Sequence, residues 1–143
     1  MIEECVADLT KLMKQKYQKM LKIDNATNDI ENALKRNDKV STEMFMNMRM
    51  EIMEEIDSID NEIQKILTSG DEELYYYLKG LLKIDTQEQA MDTEYEDEKI
   101  LMLVSLRIHN VLKGIIEKDK EMNKRILGKD SYYSQNKTKT NMY

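Results

Sequence analysis

The stretch from Asn37 to Leu67, NDKVSTEMFMNMRMEIMEEIDSIDNEIQKIL, decides the fold class of this 143-residue chain. Its apolar residues recur in steps of three and four, which places them along one face of an α-helix. The members of this stripe are Phe45, Met48, Ile52, Ile56, Ile59, Ile63 and Ile66. The segment therefore predicts a helix of about 28 residues, roughly 40 Å long at 1.5 Å per residue.

The residues before this segment carry a second apolar stripe and predict another long helix. It ends near Asn37 and Asp38, whose side chains suit turns and helix N-caps. Lys16 and Thr27 interrupt the stripe, and we expect the Lys16 stem to lie along it with the ammonium in water. The apolar members are Ile2, Cys5, Val6, Leu9, Leu12, Met13, Met20, Ile23, Ile30 and Leu34.

The residues after the segment predict a turn at 68–71 and then a shorter helix. Ser69 and Glu72 have the spacing of a capping box at its start. The apolar side of this helix consists of Leu74, Leu78, Leu81 and Leu82. Residues 85–98 follow with seven acidic side chains and no Lys or Arg, which indicates that part of this stretch is a solvated connection.

A last helix is expected from near residue 94, where Thr93 and Glu96 repeat the capping-box spacing. It extends to just before Gly128, a residue that suits the position after a helix end. Its apolar stripe consists of Ile100, Val104, Ile108, Val111, Ile115, Met122 and Ile126.

Together these stripes predict an all-α fold, an elongated antiparallel helical bundle of three to four helices built from long helical hairpins. The chain has no proline and four glycines, the two residue types that most disfavour helix interiors. We expect one bundle domain over residues 1–128. The polar residues 129–143 have no apolar period and predict a flexible, disordered C-terminal tail.

The composition excludes several classes of protein. A net charge of −6 argues against nucleic-acid binding, which depends on neutralising phosphates. One cysteine cannot form a disulfide framework, and the chain has no Cys/His cluster for zinc. The longest apolar runs have about five residues, against roughly 18 for a membrane span, and the acidic N-terminus is unlike a secretory signal. We therefore expect a cytoplasmic protein without membrane insertion.

The sequence also lacks any grouping of catalytic or metal-binding side chains. His109 is alone and residue 106 is Leu, so the Glu-x-x-His pattern of di-iron bundles is absent. Cys5 lies on an apolar stripe and is expected to be a buried structural thiol. The carboxylates of residues 51–62 mostly lie off the isoleucine stripe and indicate a solvated face. The prediction is a protein that is not an enzyme and uses no metal or cofactor.

The second long helix has an additional apolar stripe. Met46, Met50 and Met53 lie about 100–160° around the helix from Ile52, away from the main stripe. Two interpretations stay open. The stripe packs against a third helix or a dimer partner, or it binds a protein client through adaptable methionine side chains.

Residues 100–106 are apolar nearly all round the last helix, which is typical of a segment buried on all sides. Met102, Leu103 and Leu106 lie off the stripe that contains Val104. Either neighbouring helices enclose them or a partner helix does. The complete set of predicted partner-binding residues is Met46, Met50, Met53, Met102, Leu103 and Leu106.

Three stretches of the chain share a pattern with a known family. The first is Asn37 to Leu67, in which paired isoleucine and acidic positions follow Arg49. The others are VLKGIIEKDKEMNKRIL at 111–127 and the tyrosine-containing SYYSQNKTKTNMY at 131–143. On these stretches the chain resembles the small cytoplasmic chaperones of flagellar type III export, the FlgN and FliT group.

This resemblance implies an ATP-independent chaperone that holds hook-associated or filament-cap subunits and delivers them to the export apparatus. An amphipathic helix of the client would lie against exposed apolar residues, and the acidic block at 92–98 would steer a basic export component. The alternative prediction is a self-associating helical adaptor or regulatory coiled-coil protein without a flagellar client. Such a protein would bury the methionine stripe in a symmetric homodimer.

Overall fold

A computed structural model gives the backbone of residues 1–141 and the side chains of residues 1–126. The five helices of this part are α1 (Ile2–Lys35), α2 (Lys39–Leu67), α3 (Glu72–Leu82), α4 (Gln87–Met91) and α5 (Glu96–Asn141). The predicted all-α helical bundle is confirmed. The end expected at Gly128 and the tail expected at 129–143 lie outside the residues whose side chains are described. No helix in the described part is both long and apolar enough to cross a membrane.

The helices α1 and α2 form a long antiparallel hairpin. Lys16 Nζ lies 2.7 Å from Asp60 Oδ1, and Lys19 pairs with Glu55 about one turn further along α1. The partner number in α2 falls as the number in α1 rises, as it must between antiparallel helices. The Lys16 ammonium therefore bonds a carboxylate of α2, and both side chains are partly exposed.

The last helix, α5, also packs on α1 but runs parallel to it. Lys118 Nζ is 2.6 Å from Asp24 Oδ1, and Arg125 Nη1 is 3.9 Å from Glu31 Oε1. Here the two residue numbers rise together. The helix α2 is consequently antiparallel to both of the other long helices.

The short helices α3 and α4 follow α2, which ends at the end of the bundle where α1 begins. Both pack on α5. The Tyr77 hydroxyl of α3 donates to the Glu98 carboxylate, and His109 Nε2 lies 3.9 Å from Asp85 Oδ1, just after α3. These contacts place α3 beside residues 98–109 of α5, where α5 begins.

The core lies around α1, which supplies ten buried residues against three from α2. Leu9 and Ile30, far apart along α1, are both fully buried. Thr27 is fully buried as well, and its hydroxyl donates to the Ile23 carbonyl at 2.7 Å, so the polar group on this stripe is satisfied. The helix α1 is therefore the central element on which the other long helices pack.

The turn from α1 to α2 is closed by the residues that the sequence indicates. Asn37 adopts a left-handed backbone conformation with φ 56°, which asparagine tolerates better than most residues. Asp38 caps α2, and its carboxylate accepts the Ser41 backbone N–H at 3.1 Å. The hydrogen bond from Ser41 lowers the pKa of Asp38.

The cap of α3 differs from the predicted one. Asp71 is the N-cap, and its carboxylate accepts the Leu74 backbone N–H at 2.9 Å. The Ser69 hydroxyl instead donates to the Ile66 carbonyl at the end of α2. The capping box predicted for Ser69 and Glu72 is wrong, because a nearer aspartate occupies the cap position and Glu72 is already the first helical residue.

The acidic residues 85–98 are more than a solvated connection, since they contain α4. Thr86 and Gln89 form the capping box of this helix. Ala90 is fully buried, and α4 packs on α5. A local cap and one small apolar residue suffice to order this single helical turn, while most side chains of residues 85–98 are exposed, as expected for a solvated connection. Glu96 begins α5, two residues after the predicted start.

The predicted stripes are buried except where a helix has few neighbours. Ile56 and Ile63 of α2 are buried, as predicted. Met48 stays 47% exposed, and Ile2 and Ile100 stay 42% and 40% exposed. Met48 lies in the half of α2 nearer the α1–α2 turn, and the two isoleucines lie near the first turns of their helices. The stripes therefore overestimate burial at these positions.

Tyr77 joins α3 to α5 through its hydroxyl, whose acceptor Glu98 is buried. This hydrogen bond, together with burial, raises the pKa of Tyr77 to about 12. The adjacent Tyr76 is exposed, and its ring packs edge-on against Tyr75 at 5.2 Å between centroids. The hydroxyl of Tyr77 therefore links α3 to α5, whereas the described contact of Tyr76 is made by its ring.

We predict that Tyr77→Phe lowers the free energy of unfolding by about 1–2 kcal/mol, because the buried Glu98 loses a hydrogen bond. Tyr76→Phe removes the same hydroxyl from an exposed ring and should change nothing. The Tyr77 contribution is complete below the ordinary tyrosine pKa of 10 and is lost as the pH rises through about 12. Urea denaturation near neutral pH measures both variants, and equal stabilities would contradict the assignment.

Candidate functional site

A groove separates α2 from α5 in the half of the bundle near the α1–α2 turn. A cavity of about 560 Å³ occupies it, and a second of about 330 Å³ continues it towards the turn. Both cavities are lined by Leu34, Met46 and Ile126, so they form one trough, which we call the α2–α5 groove. Its apolar lining consists of Ile30 and Leu34 of α1, Met46, Met50 and Met53 of α2, and Met122 and Ile126 of α5.

Three methionines form the α2 wall of the groove. Met46, Met50 and Met53 are spaced by four and three residues, which places them on one face of the helix. Their side chains are 45%, 60% and 48% exposed. Met44 and Met48 are exposed to a similar extent but do not line the groove. The structure therefore brings together the three α2 residues that the sequence singles out.

The other three predicted residues lie elsewhere, in the part of α5 covered by α3 and α4. Met102 is 8% exposed and belongs to the core. Leu103 and Leu106 are half-buried and pack against the core. Because neighbouring helices of the same chain enclose this segment, the partner-binding prediction is wrong for Met102, and Leu103 and Leu106 do not join the methionines of α2.

Arg49 and Asp119 connect the two walls of the groove. Arg49 Nη1 donates to Asp119 Oδ1 at 2.8 Å, and Nη2 donates to Oδ2 at 2.7 Å. This two-bond geometry is the strong form of an arginine–carboxylate pair, and it raises the pKa of Arg49. Across residues 1–126 it is the one side-chain hydrogen bond or ion pair between α2 and α5.

Sequence reasoning missed Asp119, although it named Arg49. The two residues are 70 positions apart, and no local pattern links them. The sequence indicates them by position. Arg49 lies among the exposed methionines of α2, and Asp119 lies within the last amphipathic helix. Their pairing depends on how α2 and α5 sit on α1, which the stripes do not specify.

The lining of the groove is acidic as well as apolar. Glu54 and Asp57 lie one turn apart at the end of the methionine wall. Lys39 and Arg49 are the cationic side chains of the lining. Its carboxylates are Asp38, Glu43, Glu54, Asp57 and Asp119. Carboxylates thus outnumber cations by five to two along the groove.

The single cysteine and the single histidine of the chain lie away from the groove. Cys5 is buried in the core, and His109 is at the surface 3.9 Å from Asp85. Among the residues with described side chains, no group of three or more His, Cys, Asp or Glu is arranged to hold a metal ion. The groove therefore offers apolar contact and charge to a partner.

No protein-family model, curated protein or solved structure matches the chain. The resemblance to the FlgN and FliT group stays a prediction based on the three stretches of sequence quoted above. A functional assignment for this protein consequently starts from the groove itself, from its methionine wall and from its charges.

We predict that the Arg49–Asp119 pair couples α2 to α5 with about 1 kcal/mol in a double-mutant cycle of Arg49→Gln and Asp119→Asn. The exposed pair of Glu62 and Lys65, whose atoms lie 3.0 Å apart within α2, is the matched control. Its cycle with Glu62→Gln and Lys65→Gln should give less than about 0.5 kcal/mol. Urea denaturation of the wild type and the six variants measures both couplings. Equal values would show that the cross-groove pair adds no constraint.

Proposed function

We propose that this protein is a chaperone that binds an amphipathic helix of a client in the α2–α5 groove. The observation that carries the proposal is the row of Met46, Met50 and Met53, exposed along a trough whose other walls are also apolar. In helix-in-groove recognition, apolar side chains at i, i+3, i+4 and i+7 enter such a trough. Methionine suits this role because its flexible side chain adapts to partners of different shape.

The arrangement of the helices supports a helical occupant. The helix α3 lies beside residues 98–109 of α5, whereas the groove is lined by α5 between Asp119 and Ile126. Among residues 1–126, no helix covers the space between α2 and α5 at that level. A helix supplied by a client would take the fourth position there, as in a four-helix bundle.

The length of the groove suits a helix of several turns. Along α2 it extends from Lys39 to Asp57, a distance of about 27 Å at 1.5 Å per residue. A client helix of about 18 residues would cover it. Burying the exposed half of a methionine side chain contributes about 1 kcal/mol, so the row of three contributes about 3 kcal/mol to binding.

The resemblance to the FlgN and FliT group supplies the identity of the client. Two of the stretches that carry it, 37–67 and 111–127, include the residues of α2 and α5 that line the groove. On this proposal the protein works in the cytoplasm without ATP and holds a hook-associated or filament-cap subunit of the flagellum. It then delivers that subunit to the type III export apparatus.

A second candidate function is self-association as a helical adaptor. A symmetric homodimer that packed Met46, Met50 and Met53 against the same residues of its copy would bury this exposed row. The two functions therefore differ in the occupant of the groove, which is a client helix in one and a second copy of the chain in the other.

We predict that Met46→Ser/Met50→Ser/Met53→Ser weakens binding of the client about 100-fold, the equivalent of about 3 kcal/mol. The control Met44→Ser/Met48→Ser/Met91→Ser changes three exposed methionines outside the groove and should retain binding. Affinity capture from the native cytoplasm, followed by mass spectrometry, identifies the client. Circular dichroism of both variants verifies that they fold.

The chaperone proposal requires recovery of a hook-associated or cap protein by the wild type and the control, and its loss from the groove variant. Equal recovery by both variants would remove the groove from the interaction. Recovery of the protein alone, as a stable dimer that the groove substitutions disrupt, would favour the adaptor.

A further inference from the structure

Four neighbouring acidic residues of α2 differ in whether they form ion pairs. Asp60 and Glu55 face α1 and pair with its lysines Lys16 and Lys19. Glu54 and Asp57, on the groove side of the same helix, are exposed and form no ion pair with any residue of the described part. The carboxylates that hold the hairpin are therefore neutralised, whereas Glu54 and Asp57 are not.

Of the two cations that line the groove, Arg49 is engaged and Lys39 lies at the end away from Glu54 and Asp57. Arg49 is held by both oxygens of Asp119. On α5, Lys118 pairs with Asp24, and Lys124 lies 3.8 Å from Glu121. Lys39 lines the opposite end of the groove, near the α1–α2 turn. The methionine row thus ends beside two carboxylates that lack a compensating charge within the described part of the chain.

We infer that the α2–α5 groove selects a basic amphipathic helix, one whose apolar face is flanked by lysine or arginine. This inference rests on the proposed function and specifies the chemistry of its partner. The methionines take the apolar face, and Glu54 and Asp57 take the flanking cations. Charge at the edge of an apolar contact contributes more to selectivity than to affinity, because an acidic helix is repelled there while a basic one is attracted.

The test uses three helical peptides of 18 residues with the same leucine face and with Lys, Gln or Glu at every flanking position. Fluorescence anisotropy gives their dissociation constants for the full-length protein. We expect the lysine peptide to bind about tenfold more tightly than the glutamate peptide, with the glutamine peptide between them. The preference should shrink at high salt, because the charges are exposed.

Two variants with the same change in net charge locate the preference. Glu54→Gln/Asp57→Asn should weaken lysine-peptide binding about fivefold and leave glutamine-peptide binding unchanged. Glu88→Gln/Asp92→Asn removes two exposed carboxylates at α4, away from the groove, and should retain the full preference. Equal losses in both variants would reduce the effect to the overall negative charge and overturn the inference.

The outcomes separate this inference from the proposed function. If all three peptides bind equally and Met46→Ser/Met50→Ser/Met53→Ser abolishes binding, the groove binds helices without charge selection, and the inference alone fails. If none of the peptides binds, both fail. Sedimentation velocity then shows whether a second copy of the chain occupies the groove.

Discussion

The burial of α1 between two long helices is the constraint on which the rest of the structure depends. The helix α2 packs on it in antiparallel orientation and α5 in parallel orientation, and both are pinned to it by lysine–carboxylate pairs such as Lys16–Asp60 and Lys118–Asp24. The helices α2 and α5 do not pack extensively on each other. Arg49 and Asp119 provide their side-chain link across residues 1–126. A bundle built in this way has a closed side at α1 and an open side between α2 and α5.

The lengths of the remaining helices determine where that side stays open. The helix α3 has 11 residues and covers the beginning of α5. Its Leu78 is buried, and its Tyr77 hydroxyl donates to Glu98 of α5. Further along, the space between α2 and α5 forms the α2–α5 groove. The methionines that line it would be core residues if the bundle had a fourth long helix. The proposed function follows from this shortfall, because a helix from another protein can complete the packing that the chain leaves unfinished.

Much of this fold follows from periodicity in the sequence. Steps of three and four between Ile52, Ile56 and Ile59 predict α2, and the second stripe through Met46, Met50 and Met53 predicts the wall of the groove. Where the sequence-based predictions differ from the structure, the causes are local capping or tertiary packing. Asp71 caps α3 in place of Ser69, and α4 forms in an acidic stretch through one capping box and the burial of Ala90. Met102 is buried in the core, and the stripes give no packing order from which to foresee this. The position of Asp119 in the groove also depends on the packing order, so the stripes do not predict it.

The most direct test of the central claim is a methyl NMR titration of the full-length protein, labelled at the methionine methyl groups, with the basic 18-residue peptide. The account predicts that the resonances of Met46, Met50, Met53 and Met122 shift together and saturate at one peptide per chain. Those of Met44, Met48 and Met91, exposed outside the groove, should stay in place. Shifts confined to the second set, or no saturable shift in the first, would contradict the assignment of the α2–α5 groove as a helix-binding site.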